Sequence, residues 1–432
     1  MRDSAMHTQT QSQQAQTLTR EQMDIVVIGH VDHGKSTLVG RLLADTGSLP
    51  EGKLAAVKEQ CRRNAKPFEY AFLLDALKDE QAQGITIDSA RCFFHTARRE
   101  YIIIDAPGHI EFLKNMISGA ARAEAGLLVI DVAEGVQENS RRHGYLMSML
   151  GIRQIAVCVN KMDMVGYRQD AFEAVREEYG RFLAKIGLRA MAFIPISARE
   201  GDNVARRSGA MSWYTGPTIL DLLDRLEKEP SPVDKPLRLP VQDVYKFTEQ
   251  GDDRRIIAGR IETGRVQVGD EVVFLPSQKR SRVKSVEAFS SPVSQEAQAG
   301  ESTGLTLQTQ VYVKPGELMV RADELPPRSS TRLEANLFWL SPNPMVMGKR
   351  YKLKLHAARA AAYLTQVHAV IDASDLSTVA NRRQIERHDV AHVTLETLKP
   401  VACDPAMDIP QTGRFVIDRK STRLNSSHGK LS

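Results

Sequence analysis

Short runs of apolar, β-branched residues alternate with longer stretches of helical period through the first half of the chain. Residues 24–29, 101–104, 126–132, 155–159 and 193–196 read as buried strands. Between them, 35–43, 111–123, 137–150, 170–186 and 218–227 carry helical spacing, and 53–83 is charged and helix-compatible. This alternation predicts an α/β domain with a mostly parallel sheet and helices on both faces. The texture changes at the proline-rich segment Glu229-Pro230-Ser231-Pro232-Val233-Asp234-Lys235-Pro236, which reads as a linker. Beyond it, short strand runs recur with turn signals, at 239–247, 256–262, 271–275, 282–288 and 302–306. After a second loop near Pro326-Pro327 they continue at 332–340, 351–355, 366–371 and 390–398. Two β-barrel domains are expected to follow the α/β domain.

The ends are different. Residues 1–22 are rich in Gln, Thr and Ser, lack the apolar stretch of a secretory signal, and read as a disordered lead-in. The expected organisation is then an α/β domain over 23–229 and barrels over 230–326 and 327–418, the second one strand short. A polar segment over 419–432 reads as a flexible tail or as sequence foreign to the gene. Apolar content of 42% and charged content of 26% are ordinary for a globular protein. No apolar run reaches the roughly 18 residues of a membrane span. A net charge of +5 over this length gives no argument for nucleic acid. Cys61, Cys92, Cys158 and Cys403 form no C-x-x-C pair, which argues against a disulfide or zinc framework and suits the cytoplasm.

The chemistry concentrates where strands end. Gly29-His30-Val31-Asp32-His33-Gly34-Lys35-Ser36, followed by Thr37, fits G-x-x-x-x-G-K-[ST] between a strand and a helix. Its glycines let the backbone turn N–H groups onto phosphate at a helix N-terminus. Lys35 is expected to reach the β- and γ-phosphates and Ser36 to offer its hydroxyl to Mg²⁺. Asp105-Ala106-Pro107-Gly108 ends the next apolar run, with Asp105 suited to Mg²⁺ and the Gly108 N–H to the γ-phosphate. Thr86, in Gly84-Ile85-Thr86-Ile87-Asp88, is a further Mg²⁺ and γ-phosphate candidate. Asn160-Lys161-Met162-Asp163 favours guanine over adenine. Guanine presents an N1–H and an exocyclic amine on one edge, a pair that the Asp163 carboxylate accepts and adenine lacks. Asn160 suits the N7 side and neighbouring loops, the Lys161 stem the ring face, and a backbone N–H at Ser197-Ala198 the guanine O6.

Together these motifs resemble the translation-factor class of GTPases, over roughly residues 23–418. The resemblance implies GTP with Mg²⁺ as ligands and assigns His109, just after Asp105-Ala106-Pro107-Gly108, to orienting the attacking water. Catalysis would rest on His109, Lys35 and Thr86, with Ser36, Thr86 and Asp105 holding the metal. Within the class two branches remain. Val39-Gly40-Arg41-Leu42-Leu43, Ser140-Arg141-Arg142-His143, Gly201-Asp202-Asn203-Val204, Trp213-Tyr214 and Ala335-Asn336-Leu337-Phe338-Trp339-Leu340 look like the GTPase subunit of bacterial sulfate adenylyltransferase. That likeness implies coupling of GTP hydrolysis to adenylyl sulfate formation. The partner would be a separate ATP sulfurylase subunit in a cytoplasmic hetero-oligomer, with no nucleic acid or membrane. The alternative is a GTPase like elongation factor Tu or 1-alpha that delivers aminoacyl-tRNA.

Overall fold

The computed structural model describes residues 21–74, 91–105, 123–246, 254–287, 294–372, 376–380 and 382–418. The expected helix at 111–123, the terminal segments 1–20 and 419–432, and the candidate residues Thr86, Gly108 and His109 lie outside them. The described chain divides into two units, 1–228 and 229–432.

In the first unit, β1 (Glu21–Gly29) leads into α1 (Lys35–Asp45), and α2 (Lys53–Arg63) follows. Then come β2 (Arg91–His95), β3 (Arg99–Asp105), β4 (Ala125–Asp131), α3 (Glu138–Met149), β5 (Gln154–Asn160), α4 (Gln169–Lys185), β6 (Ala192–Pro195) and α5 (Ile219–Leu223). The six strands form one sheet in the order β2-β3-β1-β4-β5-β6. All seven residues of β4 are buried, as a central parallel strand covered on both faces requires. Met23, Ile25, Val27, Leu127 and Val129 pack with Leu38 and Leu42 of α1 in one core.

Two features depart from the sequence-based expectation. β2 lies outside the strand runs that the apolar pattern predicts, and it pairs antiparallel with β3 at the sheet edge, so the sheet is mixed. Its Cys92 and Phe94 are buried and Phe93 is exposed, an alternation of too few residues to stand out. The last expected helix also stops early. Thr218 and Asp221 form a reciprocal cap at its start. At its end, Glu227 exchanges hydrogen bonds with the Gln154 side chain at 2.8 and 2.7 Å, which takes the backbone out of helical pairing.

In the second unit, β7 (Leu239–Lys246), β8 (Arg255–Arg260), β9 (Arg265–Gln267), β10 (Glu271–Leu275), β11 (Lys279–Glu287), β12 (Glu296–Gln298), β13 (Ser302–Leu307) and β14 (Leu318–Arg321) come first. Six of them close a barrel in the order β10-β11-β13-β8-β7-β14, with β9 and β12 paired beside it. The remaining strands are β15 (Arg328–Phe338), β16 (Met345–Val346), β17 (Arg350–Leu355), β18 (Ala358–Ile371), β19 (Thr378–Ala380), β20 (Gln384–Ile385), β21 (Val390–Cys403) and β22 (Phe415–Asp418), with the short α6 (Pro410–Gly413) before the last. Their main sheet runs β15-β21-β18-β17-β22 and does not close among the described residues. The last described strand, β22, pairs Phe415 to Asp418 with Leu355 to Lys352 of β17, and whether a further strand follows lies outside the described residues. Arg238, 1% exposed, forks onto Asp404 at 2.8 and 2.9 Å, and Thr412 donates to the same carboxylate at 2.6 Å. This buried pair fastens the start of the barrel to the chain beyond β21.

Candidate functional site

The carboxyl ends of β1, β3, β4 and β5 lie side by side, with Val27 level with Asp105 and with Leu127, and Asp131 level with Asn160. The chain order reverses between β3 and β4 on either side of β1, which opens a crevice at their ends. The loop from β1 to α1 fills it. Asp32 has φ +62° and Gly34 φ +90°, left-handed conformations of the kind from which anion-binding backbone turns are built. A Cβ at position 34 would lie 2.4 Å from the Asn160 amide nitrogen, so any larger residue there would displace that side chain as well as strain the backbone. At Gly29 a Cβ would lie 2.4 Å from the Val129 carbonyl oxygen.

The side chains of this loop divide their roles. His33 is fully buried beneath it, its Nδ1 3.2 Å from the Val129 carbonyl and its Nε2 3.2 Å from Glu134. Burial holds its pKa below the ordinary histidine value, against the pull of the Val129 carbonyl and the Glu134 carboxylate, and with its side chain turned inward His33 offers phosphate its backbone. Lys35 is nearly buried and donates to the His30 carbonyl at 2.6 Å, curled over its own loop. His30 meets Asn139 at 3.0 Å. Ser36 and Thr37, in the first turn of α1, are half-buried, as is Val31. Of Asp105 only the backbone is described.

The base-reading loop is tied to the phosphate loop by one side chain. Asn160 donates from Nδ2 to the His33 carbonyl at 2.8 Å and accepts at Oδ1 from the Ala198 N–H at 3.0 Å. The expectation of an N–H ready for guanine O6 at Ser197-Ala198 is therefore revised. Asn160 holds the Ala198 N–H, and the Ser197 N–H goes to the Asp202 carbonyl at 3.3 Å. Lys161 takes a left-handed conformation, φ +64°, and its ammonium sits 2.7 Å from Asp131. Asp131, which no motif singles out, is thereby placed against the base-reading loop. Burial raises its pKa, but Lys161 and the N–H groups of Ala133 and Glu134 outweigh that and hold it below the usual carboxylate range. Asp131 closes β4, one residue before the end of the apolar run 126–132. Asp163 completes the loop, and its Oδ1 is buried with no hydrogen-bond partner among the described residues.

That orphaned oxygen tests the fit to a ligand. A buried carboxylate oxygen without a partner costs free energy unless something donates to it. The edge of guanine supplies two donors. With a phosphate-cradling loop at one end and this carboxylate at the other, the site is that of a guanine-nucleotide-binding protein of the P-loop class.

Comparison with known proteins agrees and goes further. Residues 20–229 match the elongation factor Tu GTP binding domain, 254–310 match elongation factor Tu domain 2, and 332–424 match the GTP-eEF1A C-terminal domain-like family. Elongation factor 1-alpha of Pyrococcus horikoshii is 40% identical over 407 residues, covering 91% of this chain and 94% of that protein. Elongation factor 1-alpha of Thermococcus celer is also 40% identical over 407 residues, with the same coverage. A crystal structure of sup35 complexed with GDP superposes with a TM-score of 0.41 at 23% identity, covering 95% of this chain and 96% of that one, too loosely to carry an argument. The chain belongs to the elongation factor Tu/1-alpha family of GTPases. It binds GTP with Mg²⁺ and hydrolyses it.

This overturns the sulfate reading. The relatives that span the chain are elongation factors, so neither a role in sulfate adenylyltransferase, nor an ATP sulfurylase partner, nor the exclusion of nucleic acid stands. The stretches that suggested that branch do scaffold work. Arg41 holds Asp45 at 2.9 Å and the Arg199 carbonyl at 3.2 Å. Trp213 donates to the Tyr167 carbonyl at 3.0 Å, and Asn203 donates to the Pro195 carbonyl at 2.9 Å. These contacts brace the base-reading loops from behind and carry no information about a partner. No described helix is long and apolar enough to cross a membrane.

Proposed function

We propose that this chain is a cytoplasmic translation elongation factor of the 1-alpha kind, a GTP-controlled carrier of aminoacyl-tRNA. The observation that carries the reading is the extent of the match to elongation factor 1-alpha, which covers 91% of the chain. A second feature supports it. The barrel bears a hollow of about 310 Å³ whose lining includes Lys246, Arg254, Arg255 and Lys284 beside Tyr312, a mixture of cationic and aromatic groups suited to a nucleotide.

By this reading the nucleotide site is the switch. Lys35, released from the His30 carbonyl, turns to the β- and γ-phosphates. Gly29 to Thr37 wrap the phosphates through their backbone N–H groups. Asp163 accepts from the guanine edge, Lys161 covers one ring face while anchored on Asp131, and Asn160, Ser197 and Ala198 hold the two loops in register. Ser36, Thr86 and Asp105 are the residues that would hold Mg²⁺, which when bound neutralises charge on the phosphates. Thr86 and Gly108 report the γ-phosphate to the rest of the chain, and His109 orients the attacking water.

The test is filter binding of aminoacyl-tRNA to the full chain with GTP or GDP over a range of salt. The reading expects binding with GTP that falls with salt, as phosphate contacts require, and little with GDP. Equal retention with both nucleotides, or none with either, would refute it.

A further inference from the structure

Three strands of the second unit's main sheet bring together two imidazoles and a carboxylate that the nucleotide chemistry does not use. Glu334 on β15 lies level with Thr394 on β21, and His392 on β21 lies level with Asn336 on β15 and Ala369 on β18. The register of β18 shifts between Val367 and Ala369, so His368 is an extra residue at a bulge. Bulges re-aim a side chain. Here the bulge brings the His368 ring to 4.7 Å from the His392 ring, with Nε2 2.8 Å from the Thr394 hydroxyl. His392 Nε2 sits 2.8 Å from Glu334 Oε1. One ligand-capable atom from each of Glu334, His368 and His392 lies within 4.8 Å of the others.

We infer that Glu334, His368 and His392 form a binding site for a divalent transition-metal ion of the zinc type. Two nitrogens and one carboxylate oxygen suit Zn²⁺, Co²⁺, Ni²⁺ or Cu²⁺, whereas Mg²⁺ and Ca²⁺ prefer oxygen alone. Ligands at about 2.0–2.2 Å around a tetrahedral ion are ~3.4 Å apart. The Glu334–His392 pair is already slightly closer than that, and small side-chain rotations bring His368 within range. Thr394 stands behind the site as a hydroxyl that already engages His368, the kind of outer contact that orients a ligating imidazole. Glu396 stands further along the same face of β21 and adds negative charge. Arg332, level with Glu396, is the basic group on β15 nearest in register. Glu334 and His392 are solvent-accessible, so an ion can enter, and three ligands leave a position for water. Bound there, the ion ties β15, β21 and β18 together. In sequence the three ligands are far apart and form no motif.

The experiment uses the full chain loaded with GDP and excess Mg²⁺, so that the nucleotide site is filled, and titrates it with Co²⁺ and then Zn²⁺. One equivalent of Co²⁺ should develop visible ligand-field absorption that one equivalent of Zn²⁺ abolishes. In the unaltered chain, Zn²⁺ should shift the NMR signals of two histidines. His368→Ala and His392→Gln should each weaken binding by about tenfold or more, and the double variant should lose it, with the far-UV spectrum and GDP binding unchanged. Absence of stoichiometric binding to the unaltered chain, or full binding by the double variant, would overturn the assignment.

Discussion

Asn160→Ala is the change that most sharply tests how the two nucleotide loops are joined. Asn160 is 2% exposed, and its amide bridges the His33 carbonyl and the Ala198 N–H. Truncation leaves both backbone groups buried without partners, at about 1–3 kcal/mol each. Nucleotide binding requires both loops to be in place at once, so much of that total falls on affinity. A loss of about 2–4 kcal/mol corresponds to ~30- to 1,000-fold weaker GDP binding, expressed mainly as faster release. Stopped-flow displacement of a fluorescent GDP analogue reads this directly. Asn160→Asp sharpens the test. It keeps the acceptor for Ala198 but sets a second oxygen against the His33 carbonyl, so it should fare no better than alanine. The close approach of Gly34 adds a coupling. Gly34→Ala by itself forces a Cβ against the Asn160 amide, a clash that Asn160→Ala removes, so the double variant should bind better than the sum of the single losses predicts. If Asn160→Ala releases GDP within about twofold of the unaltered rate, a difference of ~0.4 kcal/mol, the bridge is not what joins the loops.

Other outcomes follow from the same geometry. Asp163→Asn presents an N–H to the guanine edge in place of an acceptor. GTP affinity should fall by ~10²-fold or more and xanthosine triphosphate should become the preferred ligand, as calorimetry would show. His143, buried on α3 with Nδ1 unpartnered among the described residues, has its pKa lowered to about 3, first by burial and then by Lys35 and the neighbouring histidines. A histidine depressed in the fold stabilises it fully above its unfolded pKa of about 6.5 and progressively less as pH falls below that. The loss is ~1.4 kcal/mol near pH 5.5, and comparing urea midpoints of the unaltered chain and His143→Gln between pH 5.5 and 7.5 isolates it. Asp404→Ala strands the buried Arg238 guanidinium and should destabilise the second unit by about 3–5 kcal/mol, read from denaturant unfolding of that unit.

The parts of this molecule that could be read in advance are those whose signal is local. An apolar β-branched run such as 155–159 is a buried strand wherever it occurs, and Gly29 to Ser36 needs only a strand before it and a helix after it. The parts that escaped depend on distant partners. β2 exists because β3 offers an edge, and five residues with two buried side chains do not announce that. Asp131 looks like any acid after a strand until Lys161, thirty positions on, is found against it. The N–H at Ala198 was expected to be open because nothing local shows that Asn160 already claims it. The sulfate assignment failed for a related reason. Arg41, Asn203 and Trp213 are conspicuous in the sequence, yet their contacts are internal braces, which any GTPase of this class can use.

GTP-controlled binding of aminoacyl-tRNA would show itself as protection of the aminoacyl ester bond. An aminoacyl-tRNA with a labelled amino acid is incubated with the full chain in its GTP or GDP state, and spontaneous deacylation is followed. The GTP state is expected to slow ester hydrolysis at stoichiometric protein, and the GDP state is not. Deacylation at the same rate in both states and in buffer alone would contradict it.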